Sequence, residues 1–419
     1  MEQLIINGGK TLKGTVNISG AKNAALAILP AVILAEGVSV IDNLPNIDDM
    51  AHLVEILENL GAVCTFIDEN TLKIDSTGIN KYRATYGSVK KIRASYYLLG
   101  ALLGRFGVAE VAMPGGCNFG QRPTDLHIKG FKALGASADL KNGMNKLRAD
   151  KLQGANIYLD VVSVGATINI MLAATRAEGL TVLENAAREP HVVDTANFLN
   201  MMGANIKGAG TDTIRITGVE KLSGVNYTII PDQIEAGTYM IAAAMTGGDI
   251  TVNSIIPTHM DPLTAKLVEM GCAVTQGDDY IRVVAPEKLQ ATNVKTRAYP
   301  GFPTDLQPQF TTLMGVAHGA GIMTENVWEN RYQYVTELKR MGFNMTVEGR
   351  VCVAKGPCKP QGAEVSASDL RAGAALVLAG LVAEGTTIVG NAKNIYRGYQ
   401  DIDKKLNALG ADVRKAMAD

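Results

Sequence analysis

The sequence predicts an α/β protein of two domains, built from six copies of one structural unit. The chain has 419 residues, which is long for a single hydrophobic core. A glycine that is typical of a helix end recurs at a nearly constant spacing along the whole chain. Around each such glycine, helical periodicity alternates with short stretches of strand periodicity, which indicates an α/β architecture.

The repeat is marked by an apolar residue, a glycine and a small or apolar residue at the end of an amphipathic stretch. Successive marker glycines lie 68 to 74 residues apart. Glycine is favoured at the C-terminal end of a helix because the backbone there often turns left-handed. The six marker glycines are Gly61, Gly135, Gly203, Gly271, Gly342 and Gly410.

Each unit is predicted to contain a helix, a strand, a second helix and two further strands. In the first unit, VEILENLG has helical periodicity and is followed by the strand patterns AVCTFI and TLKID. An earlier helix, AKNAALAILPAVILAEG, is apolar nearly all round, so we expect it to be buried. A short strand rich in β-branched residues, VSVIDN, follows it.

The chain ends predict how the six units divide into domains. The sixth unit stops after ADVRK, short of its final strand pair, whereas a surplus pair, QLIINGG and TVNIS, precedes the first unit. We expect the N-terminal strands to complete the last unit, which puts both termini in one domain. The predicted domains are residues 21–230, and residues 1–20 together with 231–419, with three units in each.

Composition excludes several classes of function. The formal net charge is −1, so the chain has no overall basic field for nucleic acid or anionic lipid. The N-terminus MEQLIINGG lacks the features of a secretory signal, and the longest apolar stretch is too short to span a bilayer. Five scattered cysteines fit neither a disulfide framework nor a zinc site. We predict a cytoplasmic protein that binds no nucleic acid, membrane or metal and uses no cofactor.

The repeat also separates residues that the fold needs from residues that it does not. Aspartate and serine are good N-caps, but a cation at a helix N-terminus opposes the helix dipole. Lys22 and Arg93 lie near the start of the first helix in the first two units, and they therefore indicate a bound anion there. The residues near the start of the first helix in the six units are Lys22, Arg93, Ser163, Asp232, Asp305 and Asp369.

Arginines recur near the start of the second helix, again at the end that disfavours a cation. One interpretation is a set of salt bridges between repeats or domains. The other is a cationic cleft for a small, highly charged anion, because arginine grips carboxylate and phosphate with two parallel hydrogen bonds. The arginines in these positions are Arg122, Arg188, Arg331 and Arg397.

The second unit carries an insertion, MPGGCNFGQRPTDLH, that the other units lack. Its glycines and prolines around Cys117 predict a loop rather than a core strand. Neighbouring cations would lower the pKa of a loop thiol from its usual value of about 8.5. A reactive thiol and an incidental surface cysteine are both open at this stage. The other four cysteines fall on strand or turn patterns, and we interpret them as structural.

At these residues the chain resembles the UDP-N-acetylglucosamine 1-carboxyvinyltransferases, which are enolpyruvyl transferases. The resemblance runs essentially from end to end. It implies a fold of two inside-out α/β barrels, each made of three units. It also implies transfer of the enolpyruvyl group of phosphoenolpyruvate to the 3-hydroxyl of UDP-N-acetylglucosamine, the first committed step of peptidoglycan synthesis. The most specific segments are SGAKNAAL, PGGCNFGQRPTDLH, SVGAT, ENAAREP, FPTD, ENRY, SDLRAG and YRGY.

The resemblance further implies roles for individual residues. Cys117 matches a proton donor that can form an adduct with phosphoenolpyruvate, Asp305 a base beside the sugar 3-hydroxyl, and Lys22 a catalytic cation. The residues that match phosphoenolpyruvate contacts are Lys22, Asn23, Arg122, Arg331, Arg371 and Arg397. The residues that match nucleotide-sugar contacts are Arg93, Arg122, Pro123, Thr124, Asp125, Leu126, Ser163, Val164, Gly165, Asp305 and Val327. Some relatives have a lysine just before SVGAT, where this chain has Val161, so one cation fewer is expected there.

Two other functions remain open from the sequence. A 3-phosphoshikimate 1-carboxyvinyltransferase would share the architecture and the cationic site, although the Cys117 loop and the SVGAT segment favour the UDP-sugar. A non-catalytic UDP-sugar-binding protein would keep the arginines but would have no use for Cys117 and Asp305 together.

Overall fold

The computed structural model describes residues 2–89, 92–113 and 124–417, apart from the side chain of Arg93. The predictions made for Cys117, Arg122 and Pro123 lie outside the described residues. Contacts between Cα atoms divide the described residues into two compact units. One comprises residues 2–19 and 231–417, and the other comprises residues 20–89, 92–113 and 124–230. That these units are separate folding domains stays a prediction.

Helices and strands alternate along the described residues. The α-helices are α1 (Lys22–Ala31), α2 (Asp48–Leu60), α3 (Tyr86–Val89), α4 (Tyr97–Phe106), α5 (Asp125–Ala133), α6 (Val164–Ala174), α7 (Pro190–Met201), α8 (Gln233–Met245), α9 (Asp261–Glu269), α10 (Gln307–Val316), α11 (Val335–Arg340), α12 (Leu370–Val382), α13 (Lys393–Tyr396) and α14 (Ile402–Ala408). The strands are β1 (Glu2–Asn7), β2 (Lys13–Asn17), β3 (Val38–Asp42), β4 (Val63–Phe66), β5 (Leu72–Asp75), β6 (Arg83–Ala84), β7 (Val108–Ala112), β8 (Ser137–Lys141), β9 (Met144–Arg148), β10 (Asn156–Tyr158), β11 (Leu180–Glu184), β12 (Asn205–Lys207), β13 (Thr213–Thr217), β14 (Asn226–Thr228), β15 (Asp249–Asn253), β16 (Ala273–Gln276), β17 (Tyr280–Val284), β18 (Val294–Lys295), β19 (Gly319–Thr324), β20 (Met345–Glu348), β21 (Val351–Gly356), β22 (Glu364–Ser366), β23 (Thr386–Gly390) and β24 (Val413–Met417).

The described strands form six four-stranded sheets with one common pattern. An edge strand pairs in parallel with its neighbour, and the next two pairings are antiparallel, as in β10-β11-β13-β12. The unit of residues 20–230 holds three of these sheets, and the unit of residues 2–19 and 231–417 holds the other three. The sequence predicted three strands per unit and missed the edge strand. Most of these edge strands, such as β6 and β18 with two residues each, are too short to show an alternating pattern.

The N-terminal strands belong to two different sheets. As predicted, β1 completes the last repeat by pairing with β23 and β24. The expectation that β2 would join it was wrong, because β2 pairs in parallel with β15 and supplies the edge strand of the fourth repeat. Correspondingly, β14 precedes α8 but pairs with β3 in the unit of residues 20–230. The strand before each chain crossing therefore stays in the unit that the chain is leaving.

The first helix of each repeat is buried, as its composition predicted. Almost every residue of α6, α8 and α12 is buried, whereas the strands bury alternate residues, as in β3 and β11. Helices thus fill the inside of each unit and sheets cover them. Small residues allow this close packing: a Cβ atom on Gly100 of α4 would lie 2.2 Å from the carbonyl oxygen of Asn169 in α6. Within the described residues, no helix has the length and apolar character needed to cross a membrane.

The six marker glycines end their helices as predicted. All six have positive φ, from 90° at Gly135 to 116° at Gly61. The residue after each glycine donates its N–H to a carbonyl five residues back, for example Ala62 to Leu57 at 3.0 Å. This bond is the signature of the Schellman motif, which satisfies a carbonyl at the helix end.

Replacement of two marker glycines by alanine should separate backbone strain from steric overlap. Gly203→Ala should lower the free energy of unfolding by about 1–2 kcal/mol, because φ is 107° and the nearest heavy atom to a Cβ is 3.9 Å away. Gly61→Ala should cost more, because its Cβ would also lie 2.5 Å from the Gly78 carbonyl oxygen. Urea unfolding of both variants measures the difference, and equal losses would contradict the steric argument.

Candidate functional site

Asp305 lies between two buried arginines in the unit of residues 2–19 and 231–417. Its Oδ1 is 2.9 Å from Nη2 of Arg331, and its Oδ2 is 3.1 Å from Nη2 of Arg371. Nε of Arg371 is a further 3.3 Å contact of Oδ2. The arginine side chains are 5% and 4% exposed, whereas that of Asp305 is 29% exposed. We call these three residues the Asp305 cluster.

Asp305 differs from the other acidic residues at helix starts. Asp232 and Asp369 cap α8 and α12, each accepting two backbone N–H bonds, and Ser163 caps α6. Asp305 has the residue type of an N-cap but does not act as one. It lies in a 3-10 turn, Thr304–Leu306, directly before α10, where no side-chain cap bond is formed. Its carboxylate is committed to the two guanidinium groups instead.

Electrostatics keep the Asp305 carboxyl ionised. Burial on its own would raise the pKa of Asp305, but the guanidinium groups of Arg371 and Arg331 outweigh burial. The pKa of this carboxyl is therefore held well below its usual range. In the reverse direction, burial would lower the pKa of Arg371, and Asp305 more than compensates. Within this cluster Asp305 is a stable anion and a weak proton acceptor.

A buried layer beneath Arg371 fixes its guanidinium group. The group lies over the ring of Tyr399, 5.6 Å from the ring centroid, an arrangement typical of cation–π contacts. The Tyr399 hydroxyl is 2.9 Å from the hydroxyl of Thr238 and 3.1 Å from Nε2 of Gln309. Arg397 is half-buried. It directly follows α13 as the C-cap residue and lies two residues before Tyr399.

Glu325 organises the surroundings of Arg331. The Thr304 hydroxyl donates to Oε2 of Glu325 at 2.9 Å and accepts from Nη1 of Arg331 at 2.9 Å. Oε1 of Glu325 accepts the backbone N–H groups of Val327 and Trp328 at 2.7 and 3.0 Å, and the Thr296 hydroxyl at 2.9 Å. Glu325 is fully buried, while Val327, a predicted nucleotide-sugar contact, is exposed. The sequence prediction missed Glu325, whose burial has no local signal.

Lys22 is paired with a buried carboxylate in the unit of residues 20–230. Lys22 and Asn23 are the first two residues of α1, and Nζ of Lys22 lies 2.9 Å from Oδ2 of Asp49. The two paired side chains are 9% and 4% exposed. Asp49 therefore offsets at least part of the positive charge of Lys22, which we had expected a bound anion to offset. The sequence prediction missed Asp49 because an acid in the first turn of a helix such as α2 is common for dipole reasons.

The predicted nucleotide-sugar contacts in this unit lie at helix N-termini. Arg93 begins the 3-10 turn Arg93–Tyr96 that leads into α4. Thr124 immediately precedes α5, which begins with the exposed Asp125 and the buried Leu126. Ser163 caps α6, and Val164 and Gly165 are its first two residues. Backbone N–H groups at such helix starts are suited to binding phosphate.

Asn169 links these helix starts through a buried network. Its amide nitrogen is 2.7 Å from the carbonyl oxygen of Tyr96 and 2.9 Å from Nδ1 of His127, while its Oδ1 accepts the N–H of Gly100 at 2.7 Å. Because the amide nitrogen is a donor, Nδ1 of His127 accepts and its ring proton lies on Nε2. His127 also packs against Gly165, where a Cβ would lie 3.1 Å from the ring. Asn169, which the sequence prediction missed, thus holds α4, α5 and α6 in register.

The described cysteines have the properties of structural residues. Cys64, Cys272, Cys352 and Cys358 are all free. Burial, which is the largest cause in each case, raises the pKa of the Cys64 and Cys352 thiols to about 12 and that of Cys272 to about 11. These three thiols are therefore protonated and unreactive near neutral pH.

Comparison with known proteins places the chain in a family. Residues 6–406 match the family model of EPSP synthase (3-phosphoshikimate 1-carboxyvinyltransferase). A UDP-N-acetylglucosamine 1-carboxyvinyltransferase of Caldanaerobacter subterraneus is 57% identical, with 99% of both chains covered. One from Clostridium acetobutylicum is 55% identical, again with 99% of both chains covered. The chain belongs to the enolpyruvyl transferase family.

Solved structures of this family share the fold described above. The enolpyruvyl transferase NikO from Streptomyces tendae has a TM-score of 0.91 at 29% identity and covers 100% of this chain, which covers 99% of NikO. EPSP synthase from Acinetobacter baumannii has a TM-score of 0.77 at 20% identity, with 100% of both chains covered, and shows the fold alone. The predicted α/β enolpyruvyl transferase fold is confirmed, and the protein is a carboxyvinyltransferase that acts on small molecules.

Replacing Glu325 by glutamine should destabilise the protein. The amide nitrogen cannot accept the hydrogen bonds that one carboxylate oxygen now receives, so at least one buried donor loses its acceptor. We expect the free energy of unfolding to fall by about 1–3 kcal/mol in urea unfolding. The control is Glu329→Gln, four residues away, whose side chain is 83% exposed and pairs with Arg350; it should change the free energy by less than about 0.5 kcal/mol. A similar loss in both variants would show that the Glu325 hydrogen bonds contribute nothing specific.

Proposed function

We propose that this enolpyruvyl transferase moves the enolpyruvyl group of phosphoenolpyruvate to the 3-hydroxyl of UDP-N-acetylglucosamine and releases phosphate, the first committed step of peptidoglycan synthesis. The observation that carries the proposal is the set of relatives named for this reaction, which are 53–57% identical over 99% of the chain. The Asp305 cluster supports it, because it combines two buried cations for an anionic substrate with a carboxylate for the hydroxyl.

The alternative acceptor, shikimate 3-phosphate, is less favoured. The matching family model is named for that reaction, but the relatives that are more than 50% identical to this chain are named for the UDP-sugar. The solved EPSP synthase is only 20% identical to this chain, far below the relatives that are named for the UDP-sugar. The helix starts at Thr124 and Ser163 also provide backbone N–H groups for the diphosphate of a nucleotide sugar.

The proposed chemistry assigns the proton transfers to two residues. Cys117 gives a proton to C3 of phosphoenolpyruvate, which makes C2 cationic, and the sugar 3-hydroxyl oxygen forms a bond to C2. Asp305 takes the hydroxyl proton as that bond forms, because a carboxylate with so low a pKa is too weak a base to remove it beforehand. The C2–O bond to phosphate then breaks, the Cys117 thiolate takes a proton back from C3 to restore the double bond, and Asp305 returns its proton to the departing phosphate.

Cations stabilise the charge that this sequence develops. We assign Lys22, Asn23, Arg122, Arg331, Arg371 and Arg397 to the carboxylate and phosphate of phosphoenolpyruvate. The burial of Lys22, Arg331 and Arg371 supports this assignment, because a desolvated cation interacts more strongly with an anion than an exposed one. We assign Arg93, Ser163 to Gly165, Thr124 to Leu126 and Val327 to the nucleotide sugar. A cytoplasmic location is part of the proposal, and the free cysteines of the described residues fit a reducing compartment.

The acceptor can be tested by measuring phosphate release. Purified protein is given phosphoenolpyruvate with either UDP-N-acetylglucosamine or shikimate 3-phosphate, and inorganic phosphate is followed with time. We expect release with UDP-N-acetylglucosamine only, accompanied by a nucleotide-sugar product that is heavier by the enolpyruvyl group in mass spectrometry. Release with shikimate 3-phosphate alone would overturn the choice of acceptor.

Replacing Cys117 by alanine tests whether this thiol takes part in the reaction. We expect turnover to fall by at least about a hundredfold, the usual contribution of a general acid, with nucleotide-sugar binding largely retained. The control is Cys64→Ala, which removes an unreactive thiol from β4 in the unit of residues 20–230 and should keep turnover near that of the parent protein. Full turnover in Cys117→Ala would mean that another group supplies the proton.

A further inference from the structure

We propose that Asp305 competes with phosphoenolpyruvate for Arg331 and Arg371, so that the substrate binds by taking at least one guanidinium group from this carboxylate. The inference rests on the proposed function, which assigns these two arginines to phosphoenolpyruvate. It adds a step to that function, because binding one substrate then releases the base that acts on the other.

The carboxylate is the most exposed member of the Asp305 cluster. The arginine side chains are 5% and 4% exposed, whereas the Asp305 side chain is 29% exposed. Solvent therefore reaches Asp305 more readily than it reaches the two guanidinium groups that Asp305 contacts. Its oxygens already accept from Nη2 of Arg331 and from Nη2 and Nε of Arg371. A second anion that used these same N–H groups would have to displace the carboxylate.

The hydrogen-bond geometry leaves room for a better ligand. Of the two Asp305 oxygens, Arg331 contacts Oδ1 and Arg371 contacts Oδ2. Arg371 directs both Nε and Nη2 to that single oxygen. With Asp305, neither arginine forms the bidentate pair to two carboxylate oxygens that is the strongest arrangement for a guanidinium. Phosphoenolpyruvate carries a carboxylate and a phosphate, so it can offer two oxygens to each guanidinium. The exchange therefore replaces single-oxygen contacts with bidentate ones.

The exchange also changes the chemistry of Asp305. The two guanidinium groups are what hold the pKa of this carboxyl well below its usual range. When a substrate anion neutralises them, the pKa of Asp305 rises and the carboxylate becomes a better proton acceptor. Asp305 would then accept the proton of the sugar 3-hydroxyl as the new C–O bond forms, and phosphate would still be the leaving group. Binding of phosphoenolpyruvate and activation of the base are one event.

Asp305→Asn tests the competition directly. Asparagine keeps the size of the side chain and removes the negative charge, so the arginines lose their internal anion. We expect the affinity for phosphoenolpyruvate, measured by isothermal titration calorimetry, to rise about five- to tenfold while turnover falls. Inorganic phosphate, as a simpler anion, should show a gain in the same direction. In the double variant Asp305→Asn, Arg371→Gln, the gain should disappear.

The matched control is Asp249→Asn on the surface of the same unit. Asp249 also pairs with an arginine, through contacts of 2.8 and 2.7 Å to Arg282, but both residues are solvent-accessible and outside the Asp305 cluster. Its affinity for phosphoenolpyruvate should equal that of the parent protein, which excludes a general effect of net charge. Circular dichroism melts of all variants confirm that each is folded under the conditions of the titrations.

Each result of the titrations decides the proposal. The proposal is supported if Asp305→Asn binds phosphoenolpyruvate more tightly than the parent protein and Asp249→Asn does not. It is also supported if Asp305→Asn is the one protein of the three that binds phosphoenolpyruvate measurably. Weaker binding would show that Asp305 organises the arginines for the substrate, and unchanged or absent binding would show that no competition exists; both overturn it. The phosphate-release assay with the two acceptors separates these outcomes from failure of the proposed function, because binding of phosphoenolpyruvate is measured without an acceptor.

Discussion

Buried cations near helix ends depend on carboxylates for their stability in both units of this protein. Removing a partner from a buried ion pair typically costs about 3–5 kcal/mol, because an uncompensated charge is left in a medium of low polarity. Asp49 meets this need for Lys22, and Asp305 meets it for Arg331 and Arg371. Because the resemblance assigns these cations to phosphoenolpyruvate, the same carboxylates that stabilise the fold also set the resting charge of the proposed site.

A third ion pair, between a half-buried lysine and a buried glutamate, shows the same principle without a proposed ligand. Nζ of Lys405 is 2.6 Å from Oε1 of Glu235, whose Oε2 accepts the backbone N–H of Ser19 at 2.8 Å. Asp232 in turn donates its N–H to the Ser19 carbonyl at 2.9 Å. Ser19 is the last residue before the chain leaves this unit, and Asp232 lies just after the point where the chain returns to it. The ion pair therefore holds both chain crossings against the start of α8, which is a structural use of buried charge.

Much of the fold could be predicted because the repeat presents each signal six times. A single glycine after an apolar residue is weak support for a helix end, but six at even spacing are strong, and all six have positive φ. The edge strands could not be predicted in this way, because two or three residues are too few for a periodic pattern. The placement of β2 in the fourth repeat and of β14 in the first repeat is likewise set by long-range pairing, which local sequence does not encode.

Without the resemblance, local sequence patterns point to a candidate site residue only where its charge contradicts its local role. Lys22 and Arg93 stand out because a cation at a helix start is unfavourable, whereas Asp49 and Asp305 are hidden because an acid at a helix start is expected. Glu325 and Asn169 have no local signal, since their function lies in buried hydrogen bonds between segments far apart in sequence.

The resemblance implies that Asp305 is a base, and the structure constrains how such a base can act. A carboxylate held by two buried guanidinium groups is ionised and yet a poor acceptor of protons. Its basicity then depends on what else those guanidinium groups bind. A substrate whose own anionic groups satisfy the arginines leaves the carboxylate free at the moment when the hydroxyl proton must be removed. The electrostatics of the Asp305 cluster thus determine the order of events. No further residue has to respond to the bound substrate.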